Sequence, residues 1–222
     1  MWQGLVLEAK SLACERGGRL IFKNLSFAVR SGEVVELRGP NGAGKSTLLR
    51  LLAGLNKPVA GSLSLANSTS VIPAKAGISV SAEKTDSRFR GNDDAIYENA
   101  HYIGHQEAIK PALTVKENLE FWAGFQGGSA NLAPFKIQHL AEDEARLLSE
   151  GQRRRLSLSR LVSVKRPLWL LDEPTVGLDQ TALADLRGVI NAHLAQGGLV
   201  IAATHTDLGL PNTRMLKLEA HG

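Results

Sequence analysis

The sequence predicts an α/β fold around a mostly parallel core sheet, and three features carry that expectation. Near-continuous apolar runs at 34–37, 168–171 and 199–203 have the length and composition of strands buried on both faces. Helical spacing at 180–194 separates the last two runs, the alternation that accompanies parallel pairing. Between the first run and leucine-rich 48–52 lies Gly39-Pro40-Asn41-Gly42-Ala43-Gly44-Lys45-Ser46-Thr47, a strand, glycine loop, helix order.

Each segment has its own local signals. Short alternating runs at 5–7, 20–22 and 25–29, broken by Arg16-Gly17-Gly18 and Arg30-Ser31-Gly32, predict an N-terminal antiparallel β subdomain with a hairpin. Gly54 and Pro58 stop the helix that follows the glycine loop, and 61–65 alternates as a further strand. Thr114-Val115-Lys116-Glu117 is a capping box ahead of Leu119, Phe121 and Trp122, and 132–148 carries apolar residues at helical spacing. These segments predict a helical subdomain at 106–162, inserted into an α/β core made of 1–105 and 163–222, all within one domain.

Residues 70–94 differ in kind, being rich in Ser, Lys, Arg, Gly and Asp and poor in side chains that pack, and they read as an exposed, disordered insertion. Its pieces Val71-Ile72-Pro73-Ala74-Lys75-Ala76-Gly77-Ile78 and Asp86-Ser87-Arg88-Phe89-Arg90-Gly91-Asn92-Asp93 resemble translated mobile palindromic repeats of bacterial genomes, which implies a passenger. A nucleic-acid arm fits poorly, because acidic residues dilute the charge and only Phe89 could stack.

At 222 residues and a formal charge of +4, the chain is large enough for a sizeable core and only modestly basic. No run approaches the roughly 20 apolar residues of a membrane span, and no basic stretch precedes an apolar one at the N-terminus, so a cytoplasmic protein is expected. Cys14 is the single cysteine, which excludes an internal disulfide and a cysteine-based metal site.

The glycine loop suits a phosphate. Gly39, Gly42 and Gly44 let the backbone wrap an anion so that N–H groups and the positive end of the following helix converge on it. Lys45 would reach the β- and γ-phosphates, Ser46 would offer its hydroxyl to Mg²⁺, and Thr47 would add an α-phosphate contact. The run at 168–171 ends in Asp172-Glu173-Pro174, placing one carboxylate for Mg²⁺ and one to polarise an attacking water. A nucleotide with Mg²⁺ is therefore expected, and the glycine loop alone leaves a kinase, a GTPase and an ATPase open.

Leu148-Ser149-Glu150-Gly151-Gln152, ahead of an arginine-rich helix, resembles the signature motif of ABC-type ATPases. Its combination with Asp172-Glu173-Pro174 and Gly177-Leu178-Asp179 strengthens that resemblance. The family likeness implies that Ser149 and Gly151, with Gln152 and Asp179 beside them, meet nucleotide held by a second copy. His205 would hold the γ-phosphate and Glu173 in register, with Lys45 and Glu173 completing the catalytic set. The shared site implies a homodimer and poor hydrolysis by one isolated copy. Two positions depart from the common pattern. Arg16 stands near where an aromatic residue usually stacks on adenine, and either His105 or Gln106 takes the lid-loop position of a Mg²⁺-sensing glutamine.

Further segments are similar to one branch, the ATP-binding subunits of bacterial cytochrome c maturation systems, or haem exporters. They include Cys14-Glu15-Arg16-Gly17-Gly18-Arg19, Tyr102-Ile103-Gly104-His105 and Glu117-Asn118-Leu119-Glu120-Phe121-Trp122. In that branch a histidine in the lid loop and an arginine after Glu15 are ordinary. The resemblance implies integral membrane partners, CcmB- and CcmC-like, a peripheral location on the cytoplasmic face of the inner membrane, and release of a haem-loaded chaperone. Neither direct haem binding nor nucleic-acid binding is expected. The alternatives are another small ABC exporter and a soluble, non-transport ABC ATPase.

Overall fold

The computed structural model describes residues 1–67 and 93–219. The predicted insertion at 70–94 lies outside them except for Asp93 and Asp94, which open helix α2 (Asp93–Glu98).

β1 (Leu5–Arg16) and β2 (Arg19–Arg30) form the expected hairpin across Gly17-Gly18. β3 (Val34–Arg38) leaves for a second sheet, while β4 (Ala60–Asn67) returns to pair antiparallel with the other edge of β1, giving the order β2-β1-β4. That second sheet is parallel throughout, in the order β5-β6-β7-β3-β8, with β5 (Ala100–Ile103), β6 (Leu168–Asp172), β7 (Leu199–Ala203) and β8 (Thr213–Lys217).

β6 explains why such strands carry no polar alternation. Leu168 and Leu170 enter a core shared with β1, β2 and α1 (Lys45–Leu52). Trp169 and Leu171 enter a second core against α4 (Glu150–Ser163) and α5 (Gln180–Ala195). Successive side chains point to opposite faces, and both faces are covered. On the α5 side Trp169 stacks on His193, with ring centroids 3.7 Å apart and planes 8° from parallel. Burial pulls the His193 pKa down to about 4, so its ring is neutral near pH 7.

A third, smaller core lies under α3 (Val115–Gln126), where Val115 and Leu119 meet Ile137, Ala145, Leu148 and Leu156. The capping box predicted at Thr114 is present, with Thr114 Oγ1 accepting from Glu117 N–H and Glu117 accepting from Thr114 N–H. On the same helix the Trp122 ring lies under Arg160, whose guanidinium carbon is 4.1 Å from the ring centroid. Its indole N–H donates to Ala108 O.

The helix expected at 132–148 is a correction. The segment instead makes three single 3₁₀ turns, Ala133–Phe135, Gln138–Leu140 and Ala145–Leu147. Lys136 adopts a left-handed backbone at φ 56°, which a continuous helix excludes. Nearby carbonyls are committed elsewhere: Asp143 O accepts from Val115 N–H and Ala141 O from Lys116 N–H, each at 2.9 Å. They satisfy first-turn donors of α3 that have no partner within that helix. Apolar spacing still marked which residues bury, since Phe135 and Ile137 are at most 2% exposed.

Candidate active site at the parallel strand ends

Parallel pairing sets the carboxyl ends of β5, β6, β7 and β3 side by side, and the segments leaving them converge on one crevice. A cavity of about 730 Å³ opens there. This lies within the roughly 300–1,000 Å³ of small-molecule sites. The glycine loop supplies Asn41, Gly42, Gly44, Lys45, Ser46 and Thr47, and the segment after β6 supplies Asp172, Glu173 and Val176. His205 and Thr206 come from beyond β7, His105 from beyond β5, and Arg16 and Ile21 from the hairpin.

Gly39, Pro40 and Ala43 shape the loop without lining the cavity. A Cβ on Gly39 would stand 2.3 Å from Leu218 O, so the loop can follow this path against the end of β8 only with glycine. Gly44 takes φ 92° and a Cβ there would meet Ile21 Cγ2 at 2.6 Å. No side chain caps α1, which leaves its first-turn N–H groups available to an anion. The Lys45 ammonium spans the loop, donating to Gly39 O at 2.8 Å and Pro40 O at 3.1 Å.

Ser46 Oγ donates to Asp172 Oδ1 at 3.0 Å, joining the start of α1 to the end of β6. The Tyr102 hydroxyl approaches the other carboxylate oxygen at 3.5 Å. A hydroxyl and a carboxylate side by side at a phosphate loop are the hard oxygen donors that Mg²⁺ prefers, so these residues fit the ion. Glu173 follows in a left-handed backbone, φ 48°, its N–H donating to Ala203 O at 2.8 Å. That conformation costs on the order of 1–3 kcal/mol for a non-glycine residue and persists only where neighbours impose it. His205 Nε2 lies 3.6 Å from Glu173 Oε1.

The structure thus gathers Lys45, Ser46, Thr47, His105, Asp172, Glu173 and His205 around one cavity. Gln106, the alternative to His105, does not line it. Ser149, Gly151, Gln152 and Asp179 also stand outside. Ser149 caps α4 in a second capping box, its hydroxyl accepting from Gln152 N–H at 3.3 Å while Gln152 Oε1 accepts from Ser149 N–H at 2.8 Å. Asp179 caps α5, accepting from Ala182 N–H at 2.7 Å, and Arg155 donates to both of its oxygens. The Ala182 N–H foremost, with Arg155 beside it, holds this carboxyl below the usual range.

Four contributors carried no sequence signal of a place in the site. Ile21, Val176 and Thr206 line the cavity and Tyr102 touches Asp172, yet only the fold brings these ordinary residues to the strand ends.

The profile of the ABC transporter family matches residues 22–176. The chain belongs to the ABC transporter family. Similar relatives include the cytochrome c biogenesis ATP-binding export protein CcmA of Nitrobacter winogradskyi, 46% identical over 92% of this chain and 94% of that protein. CcmA of Rhodopseudomonas palustris strain HaA2 is 43% identical over 96% and 98%. The Bradyrhizobium diazoefficiens CcmA is 44% identical over 94% and 96%. This ABC ATPase is therefore also a member of the CcmA family.

Among solved structures, a putative ABC transporter ATP-binding protein from Pyrococcus furiosus aligns with a TM-score of 0.73 at 20% identity, covering 95% of this chain and 97% of that one. An ATP-binding cassette captured as a post-hydrolysis dimer with ADP and Pi aligns at 0.72 and 22% identity, covering 97% of each. These likenesses show the ABC ATPase fold.

Proposed function

We propose that this chain is the ATP-hydrolysing subunit of a cytochrome c maturation complex, a haem exporter, and that two copies close head to tail around shared ATP. The observation that carries the reading is one cavity holding a glycine loop, a Ser46–Asp172 pair and a Glu173–His205 pair, in a chain of the CcmA family.

The triphosphate lies along Gly39–Thr47, with Lys45 turning from the loop carbonyls to the β- and γ-oxygens. Ser46 and Asp172 would hold Mg²⁺, which supplies neutralisation of phosphate charge. Glu173 orients the attacking water, and His205 keeps that carboxylate in line with the γ-phosphate. His105 senses the site from the lid loop, and the Arg16 guanidinium offers a flat face to the base. Ser149, Gly151, Gln152 and Asp179 act on the nucleotide of the second copy, where the positive end of α4 favours phosphate. Their place outside this chain's own cavity supports that division of labour.

Residues 106–162 act as a helical subdomain relative to the core of 1–105 and 163–222, and the separate small core under α3 supports the division. Closure and reopening are passed to CcmB- and CcmC-like integral membrane subunits and drive release of the haem-loaded chaperone. The chain itself sits peripherally on the cytoplasmic face of the inner membrane. Among the described residues no helix is long and apolar enough to cross a membrane. Haem is expected to stay with the partners, and Cys14, His101 and His193 are buried.

Affinity capture of the tagged chain from bacterial membranes, with ATP turnover measured on the captured complex, tests the assignment. Multispanning partners and Mg²⁺-dependent hydrolysis are expected. A chain recovered alone from the soluble fraction, with turnover stimulated by nucleic acid, would defeat it.

A further inference from the structure

Arg154 is 4% exposed, and among the described residues its hydrogen bonds go to backbone carbonyls and not to carboxylates. Its guanidinium gathers three backbone carbonyls, from the last residue of β6, the residue after it and the segment beyond β5. Nη2 donates to Asp172 O at 3.0 Å and Glu173 O at 2.6 Å, and Nη1 donates to Gly104 O at 3.2 Å. Nε has no partner. The carboxylates of Glu107, Asp172 and Glu173 offset part of the cost of burying this charge through space, while its hydrogen bonds go to backbone carbonyls.

What those carbonyls share is their position. Asp172 and Glu173 are the two carboxylate residues at the end of β6, and Gly104 directly precedes His105 of the lid loop. The Glu173 peptide is pinned on both sides, by Ala203 O on its N–H and by Arg154 on its carbonyl, which Val176 N–H shares at 3.3 Å. This double hold is what a left-handed, non-glycine residue needs to keep its backbone. Arg154 itself belongs to α4, the helix that Ser149 caps.

We propose that Arg154 is a positioning residue for ATP hydrolysis, holding the Glu173 carboxylate and the His105 loop in register with the helix that Ser149 leads. The inference rests on the reading of Glu173 as the group that orients water. Arginine suits the task because its planar fork reaches separated acceptors in fixed directions, whereas a lysine presents all its donors from a single nitrogen.

Full-length Arg154→Gln and Arg154→Lys, checked for folding by circular dichroism and thermal melting, test this beside Glu173→Gln. Folded Arg154→Gln is expected to lose at least about tenfold in kcat while affinity for Mg²⁺-ATP changes by less than about threefold, the split of a residue that acts on the chemical step. Arg154→Lys should recover part of that loss. If the glutamine variant does not fold, the lysine variant alone is read by the same two measurements. Turnover within about twofold of the parent in a folded Arg154 variant, with Glu173→Gln inactive, overturns the role of Arg154 alone. Normal turnover in Glu173→Gln instead removes the underlying reading, and the proposal with it.

Discussion

Two regions of this chain are assigned to one phosphate group in the proposed mechanism, and they do not share a cavity. The glycine loop is enclosed by four strand ends and shares its cavity with Asp172, Glu173 and His205. The Ser149 tip of α4 is exposed and outside that cavity, and it is closed by its own capping box. Two halves that are each formed within one chain but stand apart are what the proposed pairing of two copies requires. The comparison between Ser149 and Thr114 sharpens this, because both lead a helix with the same reciprocal bonds and only one belongs to the signature motif.

The largest expected effect is that of Lys45→Ala, which removes the ammonium from the glycine loop and should abolish detectable Mg²⁺-ATP binding by calorimetry. Unchanged affinity would break the first half of the comparison. Glu173→Gln comes next: nucleotide binding should persist while turnover falls by on the order of 10²–10³, the scale of losing one positioned base. Size-exclusion chromatography with ATP should then reveal an accumulated dimer. Ser149→Ala tests the other half, with affinity of a single copy held within about twofold and kcat lowered at least about tenfold. Mixing it with Lys45→Ala rebuilds one intact site per mixed pair. Recovery of up to about a quarter of parental activity is expected from random pairing of two symmetric copies, and no recovery would argue for a site within each chain. The smallest effect belongs to Thr114→Ala, which should cost about 1 kcal/mol of stability, as caps do, and leave kcat untouched.

How far the sequence disclosed all this depended on whether a residue's neighbours are local. The glycine loop, both capping boxes and β6 depend on adjacent residues and were legible at once. β5 was not recognised as a strand, because Ala100-His101-Tyr102-Ile103 mixes polar and apolar positions; His101 is buried only because Val164 O sits 2.8 Å from its Nε2. β8 lies at the sheet edge, with Arg214, Met215 and Lys217 exposed, so it lacks the apolar run that marked the central strands. At 132–148 the spacing was helical but distant carbonyl commitments decided otherwise. In the site, the motif residues were readable while Ile21, Val176, Thr206 and Tyr102 were not, since nothing about an isolated isoleucine announces which loop will lie over it.

The three tryptophans, Trp2, Trp122 and Trp169, all stand away from the nucleotide cavity. Trp169 is locked face to face with His193, and Trp122 is clasped between Arg160 and Ala108, three residues beyond His105. Intrinsic fluorescence of the unmodified protein should therefore be blind to ATP as a quencher and responsive to it as a lever. Trp122, bonded to Ala108 of the segment that carries His105, is the tryptophan best placed to report a rearrangement of that segment without any attached dye.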